Sequence, residues 1–312
     1  MESLERNLSV ARQKVIAIVG PTGIGKTSLS VYLAHQLNGE IISCDSMQVY
    51  KKMDIGTAKV TEEEKQGIHH ELVDVQDYSE PYNVMIFQKK CRKAIENIRN
   101  RGKLPILCGG TGLYLKAALY DYEFTEEQED TEYKRFLESK TNDELYKMLE
   151  SIDSKSLEKI HPNNRKRLIR ALEICHLGPT KSQREDSQKH EPIYDVYFLG
   201  LDVDREILHE RINKRVDIMF EDGLVNEVTE LFSNPSTWEY TSFQGIGYKE
   251  FKEYFLGNKD LESVKTDIKT HSRQYAKKQY TWFKHQMPVH WFEAGNNKSI
   301  LESVKEWLYE HE

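Results

Sequence analysis

The chain has 312 residues with 44 Lys or Arg against 51 Asp or Glu, a net charge of −7 that excludes generic adhesion to nucleic acid and confines any such role to local basic patches. Its length holds one large domain or two modest ones, and 30% charged residues imply much solvated surface. Four scattered cysteines without a C-x-x-C pair argue against a disulfide framework or zinc site, and neither a signal-peptide core nor a membrane-length apolar run is present, so a cytoplasmic protein is expected.

Val15 to Val19 form an apolar run that predicts a buried strand. Gly20, Pro21, Thr22, Gly23, Ile24, Gly25, Lys26 and Thr27 follow at once and satisfy G-x-x-x-x-G-K-T. Such a loop turns backbone N–H groups around a phosphate, Lys26 reaches the outer phosphates, and Thr27 can hold Mg²⁺. The next helix, expected to run to about Leu37, aims its N-terminus at the same anion. The motif indicates a polyphosphate or diphosphate ligand without specifying ATP.

Ile41 to Cys44 predict a second strand ending at Asp45. Asn83 can cap a helix whose apolar face carries Val84, Phe87, Cys91, Ala94, Ile95 and Ile98, with Gly102 ending it. Leu104 to Cys108 are a further strand, followed by Gly109-Gly110-Thr111-Gly112. Alternating strands and helices predict a parallel sheet with crossover helices, whose ligands sit at the carboxyl ends of the strands. Gly20, Asp45 and Thr111 fall at such ends. A carboxylate at Asp45 can hold Mg²⁺ or remove a proton, or it can cap a turn. The strand ending in Gly109 lacks the Asp that P-loop hydrolases place there, which weakens ATP hydrolysis as the main activity.

The texture changes after Asp121, where residues 121–150 carry eleven acidic and four basic residues. The cluster His161 to Arg170 then enters a helix and is dense in basic residues. Gly178 to Pro192 show no apolar periodicity and read as a loop, and Val196 to Leu201 resume the sheet pattern. A helical insertion over 121–193 inside an α/β core of residues 1–120 and 194–312 follows. Two further helices are predicted over Arg205–Met219 and Leu261–His285, and an amphipathic one over Ile300–Leu308. Lys265, Lys269, Arg273 and Lys277 recur every four residues of the second, as either a solvated face or a weak nucleic-acid stripe.

Asp45-Ser46-Met47-Gln48-Val49-Tyr50 and Asp54-Ile55-Gly56-Thr57-Ala58-Lys59 resemble the signature that follows the P-loop in tRNA dimethylallyltransferases, also called tRNA isopentenyltransferases. Gly109 to Tyr114, Arg165 to Glu173, and Arg211-Ile212-Asn213 with Arg215, Met219, Gly223 and Leu224 are similar to later blocks of that family. So are Gly245 to Glu250 and Ala276 to Gln279 with Trp282. The match spans residues 15–285 in order and is of the bacterial type, without the C-terminal zinc finger of eukaryotic members.

The resemblance implies a P-loop NTPase-like α/β fold with a mostly helical insertion that contacts tRNA. It implies transfer of a dimethylallyl group from dimethylallyl diphosphate to the exocyclic amine of the adenosine 3′ of a tRNA anticodon. Asp45 would be the base, Thr111 would orient the target adenine, and Lys26, Arg215 and Arg211 would meet the diphosphate beside Mg²⁺ on Thr27. Ser46, Met47 and Gln48 would hold the displaced base, and Lys166, Arg167, Leu168, Ile169 and Arg170 would contact the RNA. No membrane or obligate protein partner is implied, and a monomer suffices. The competing readings are a P-loop kinase for a small molecule or nucleoside and a nucleotide-switched RNA-binding module.

Overall fold

The computed structural model describes residues 12–124, 130–187, 190–232 and 234–310. By contacts the chain divides into two compact units, one of residues 1–120 with 192–312 and one of residues 121–191.

The first unit is built on six parallel strands. They are β1 (Lys14–Val19), β2 (Gly39–Ser43), β3 (His70–Glu71), β4 (Leu104–Gly109), β5 (Asp195–Asp202) and β6 (His290–Glu293), in the spatial order β3-β2-β4-β1-β5-β6. Strands covered on both faces read as continuous apolar runs, and β1 and β2 are such strands, fully buried along nearly their whole length. β1 lies between β4 and β5, with Val19 opposite both Gly109 and Gly200. Ser43 pairs with Cys108 on the other side of β4. Three strand ends therefore arrive together: Gly20 after β1, Cys44 and Asp45 after β2, and the Gly-rich turn after β4.

On one face Ile16, Ile18, Leu199 and Leu201 pack with Leu29 and Leu33 of α1 (Lys26–Gln36) and Ile300 and Val304 of a C-terminal helix. α2 (Glu62–Lys65) is a single capped turn. α3 (Val84–Asn100) starts at Asn83, whose side chain accepts from the Ile86 N–H, and buries Phe87, Cys91, Ala94, Ile95 and Ile98 as its spacing predicts. α4 (Gly112–Leu119) leads out of the sheet.

The second unit contains α5 (Thr131–Glu138), α6 (Asn142–Asp153), α7 (Arg165–His176) and α8 (Lys181–Ser187). Its own core joins Leu137, Leu145, Leu149, Ile160, Leu168, Ala171 and Leu172. α8 stands where the sequence reads as a loop. Its support is polar rather than apolar, which is why periodicity misses it: buried Asp153 accepts from the Ser182 N–H at 2.9 Å, and Arg184 Nε donates to the Pro179 carbonyl. The unit closes at Glu191 rather than 193, because Pro192 already bridges to Tyr120 and the Ile193 N–H donates to the Leu119 carbonyl.

The chain then adds α9 (Arg205–Glu221), α10 (Leu224–Leu231), a short α11 (Lys252–Phe255), α12 (Leu261–Gln286) and α13 (Asn297–Tyr309). α9 packs along α12. Among the described residues no helix is long and apolar enough to cross a membrane.

Candidate active site

A cavity of about 540 Å³ opens in the first unit where the ends of β1, β2 and β4 meet α9 and α12. Its polar wall includes Thr22, Lys26, Asp45, Thr111, Arg215 and Gln279, and its apolar wall includes Met47, Leu113, Ile212, Val216, Met219 and Ile268.

Lys26 begins α1, and its Nζ donates to the Pro21 carbonyl at 2.7 Å across the loop. Burial pushes the ammonium down to about 8, against the upward pull of neighbours that include Asp45. Arg215 comes from α9 two helical turns before its end. Its Nη1 donates to Thr22 Oγ1 at 3.4 Å and its Nη2 to the Ala58 carbonyl at 3.2 Å. Burial lowers its pKa from the usual arginine value while Asp45 raises it, and a guanidinium remains charged throughout. Two cations thus flank the loop. Thr27 follows Lys26 on α1, and its hydroxyl has no hydrogen bond among the described residues.

Asp45 caps the turn that follows β2: one carboxylate oxygen accepts from the Met47 N–H at 2.8 Å and more weakly from Gln48 at 3.4 Å. The other oxygen has no hydrogen bond among the described residues, and the residue lines the cavity. The capping and chemical readings of Asp45 therefore hold together, since one oxygen fixes the carboxylate and leaves the second for a ligand. Thr111 sits at the N-cap position of α4 but its hydroxyl does not cap the helix. Instead Thr111 Oγ1 accepts from the Ser46 N–H at 3.3 Å, tying the tips of β2 and β4 together.

α12 completes the site from above. Gln279 Oε1 accepts from the Thr22 N–H at 3.0 Å and Nε2 donates to the Gly110 carbonyl at 2.9 Å. Glycine is required under this helix: a Cβ on Gly110 would lie 2.1 Å from Gln279, and one on Gly112 2.2 Å from the Trp282 indole. Tyr275, one turn before Gln279, has its hydroxyl pushed up to about 12 by burial and by the charge of Asp45, so it enters the cavity as a neutral hydrogen-bonding group.

The structure brings Lys26, Asp45, Ser46, Met47, Thr111 and Arg215 together at one cavity. Other expected residues lie elsewhere. Arg211 is exposed on α9 one turn before Arg215 and does not line the cavity. Gln48 turns behind it, donating to the carbonyls of Thr57 and Ala58 and accepting from Ser43. Ile24 contributes its side chain to the sheet core, so only its backbone faces the loop.

In the second unit, Leu168 is fully buried in the core and half-buried Ile169 packs against it, because the helix needs one apolar stripe to fold. Lys166, Arg167 and Arg170 are exposed on the remaining faces. Arg165 is internal, donating to the carbonyls of Glu138 and Lys140. Three members of the periodic stripe of α12 turn inward: Lys265 and Lys269 both pair with Asp217 at 2.7 Å, and Arg273 donates to Asn213, while Lys277 is exposed.

The missed residues are polar groups whose partners are backbone atoms. Gln279 is the polar member of the buried face of α12, beside Ala276 and Phe283, and carries no signal in hydrophobic spacing.

A P-loop on the central strand of a parallel sheet, facing a carboxylate and a Gly-rich turn across a half-apolar cavity, defines an α/β enzyme that acts on a phosphorylated ligand. Comparison with known proteins narrows the class. The chain belongs to the IPP transferase family, whose model matches residues 48–286, and an isopentenyl transferase model matches residues 13–82. Curated relatives called tRNA dimethylallyltransferase include one from Bacillus cytotoxicus, 47% identical over 299 residues and 94% of both chains, and one from Bacillus cereus, 47% identical over 301 residues and 95% of both. Among solved structures, a tRNA isopentenylpyrophosphate transferase from Bacillus halodurans is 41% identical with a TM-score of 0.73, covering 96% of this chain and 98% of that one. A eukaryotic dimethylallyltransferase acting on tRNA is 33% identical with a TM-score of 0.84, covering 96% of this chain and 80% of that one.

Proposed function

We propose that this chain transfers the dimethylallyl group of dimethylallyl diphosphate to the N6 amine of the adenosine 3′-adjacent to a tRNA anticodon, releasing diphosphate. The observation that carries the reading is the single cavity with Lys26 and Arg215 at one side, Asp45 and Thr111 at another, and an apolar wall between α9 and α12. A prenyl chain needs the apolar wall, a leaving diphosphate needs the cations, and an aromatic amine needs an acceptor for its proton. The names carried by the relatives favour this reading over a small-molecule kinase.

In the reaction a C–N bond forms at N6 as the C–O bond to diphosphate breaks. Charge gathers on the departing oxygen, where Lys26, Arg215 and the loop amides other than that of Thr22 would stabilise it. The amine becomes strongly acidic as it is alkylated, so an ordinary carboxylate suffices, and the free oxygen of Asp45 takes the proton. Ser46, Met47 and Thr111 border the space for the adenine, which must leave its stack at a cost of a few kcal/mol. Tyr275 offers a neutral hydroxyl beside it.

Mg²⁺ suits the site because the Thr27 hydroxyl is uncommitted at the start of α1 and this ion is commonly held by one or two protein oxygens, phosphates and water. Bound there, it would neutralise charge on the diphosphate. The exposed Lys166, Arg167 and Arg170 of the second unit are the candidates for RNA phosphate contacts. A cytoplasmic, monomeric enzyme is consistent with all these roles.

Incubating the pure protein with Mg²⁺, dimethylallyl diphosphate and an unmodified tRNA bearing adenosine 3′ of its anticodon tests the reading. Nucleoside mass analysis should find one five-carbon prenyl unit on that adenosine. No gain, with ATP consumed on adding small acceptors, would overturn it in favour of the kinase.

A further inference from the structure

Ala58 holds the backbone carbonyl on which two functional side chains rest. It accepts from Arg215 Nη2 at 3.2 Å and from Gln48 Nε2 at 3.1 Å. Its φ of 45° places it in the left-handed region, so this carbonyl points where it does because the loop around it is held.

The holding group is Glu227 of α10. Its Oε2 accepts from the N–H groups of Asp54 at 2.8 Å and Ile55 at 2.7 Å, and its Oε1 from Gly56 at 3.0 Å. Three successive amides converging on one carboxylate form an anion-binding nest. A fourth donor, the Tyr248 hydroxyl, reaches Oε1 at 2.6 Å. Burial and the adjacent carboxylate hold that phenol protonated and donating. Tyr248 is fully buried against Gly56, where any Cβ would lie 2.6 Å from its ring.

Past the nest, the Ala58 N–H donates to the Ile55 carbonyl and the Lys59 N–H to the Asp54 carbonyl, so the turn is rigid up to the carbonyl that meets Arg215. Gly56 and Thr57 line the cavity directly.

We propose that Glu227 is a positioning residue for the prenyl transfer: by clamping residues 54–56 it sets the Ala58 carbonyl that aims Arg215 at the departing diphosphate. The proposal rests on the function above. α9 and its neighbour α10 then grip one loop at two points, Arg215 at the carbonyl and Glu227 at the amides. Losing the clamp frees the guanidinium while leaving it in the cavity, so the loss falls on the transition state more than on tRNA binding.

The test is a double-mutant cycle of Glu227→Gln and Arg215→Ala, with kcat and both KM values measured for tRNA prenylation. Glu227→Gln keeps the shape but turns an NH₂ group toward donors. We expect kcat to fall roughly tenfold or more with the tRNA KM within about twofold, and the effect to vanish in the Arg215→Ala background because the two residues act as one unit. Tyr248→Phe removes one donor to Glu227 and keeps the ring, so it carries the test should Glu227→Gln fail to fold. Its smaller loss in kcat should vanish in the same background. Effects that multiply, or an unchanged kcat, would overturn the proposal. Wild-type protein run in parallel separates the two claims: if it transfers no prenyl group, the function itself falls.

Discussion

Gln279 accepts a hydrogen bond from the Thr22 N–H of the P-loop at 3.0 Å, reaching it from a helix 257 positions away in the chain. The same carboxamide donates to the Gly110 carbonyl, so one buried side chain holds the phosphate loop and the Gly-rich turn in fixed relation. Gln279→Leu leaves both backbone groups without partners at an expected cost of about 1–3 kcal/mol each where water cannot replace it. Denaturant unfolding should show the lower midpoint, and turnover should fall along with it because Lys26 and Thr111 lose their common support.

Asp45 divides its work between two oxygens, and Asn can keep one half of it. Asp45→Asn preserves an acceptor for the Met47 N–H and removes the base. Turnover is expected to fall ~10²–10⁴-fold, the usual range for losing a general base, with little change in stability. Single-turnover prenylation with saturating tRNA reads the first quantity and thermal melting the second. A variant within tenfold of wild type would remove Asp45 from the base role.

Lys26, lowered to about 8, gives the donor site a pH dependence. Dimethylallyl diphosphate should bind well where the ammonium is charged and lose affinity as pH rises through that value. Titration calorimetry without tRNA between pH 7 and 9.5 should show the decline, and Lys26→Met should bind weakly with a flat profile. Stability carries the opposite sign. The folded protein binds fewer protons than the unfolded one between about 8 and the ordinary lysine value of 10.5, so burial of Lys26 costs stability below that window and the cost disappears through it. Lys26→Met should therefore stabilise the ligand-free protein at pH 7, by ~1–3 kcal/mol.

Arg167 is exposed, and its guanidinium has no hydrogen bond or ion pair among the described residues. Arg167→Ala should weaken tRNA binding and reduce the slope of log affinity against log salt by about one unit, with the fold unaffected. Arg165→Ala makes the control, because Arg165 spends its donors on the Glu138 and Lys140 carbonyls. It should lower the melting temperature of the second unit instead. Filter binding over a salt series distinguishes the two.

Much of the fold was legible in the chain. The strand, P-loop and helix from Lys14 to Gln36 are contiguous, and α3 follows its apolar spacing and its Asn83 cap. At the second unit the block implied by the resemblance divides. Leu168 and Ile169 sit within a basic run and were expected at the RNA, yet a helix that folds must bury one stripe, and these two residues form part of it. The α12 lysines likewise look available in sequence, while Lys265 and Lys269 are occupied by Asp217 of α9. α8 escaped notice because its contacts are hydrogen bonds to backbone and a buried carboxylate, with no period to read.

By itself the sequence determined the phosphate loop, the parallel sheet and the strand ends at which Gly20, Asp45 and Thr111 stand, since each loop and strand is signalled by a pattern of adjacent residues and their alternation with helices implies the sheet. Only the tertiary structure decided which other groups meet there. Gln279 over the loop, Arg215 on the Ala58 carbonyl and Glu227 on the 54–56 amides are long-range contacts made to backbone atoms. Every residue has the same backbone N–H and C=O groups, apart from proline, so such contacts leave no mark in residue type and become visible only when packing brings the segments together.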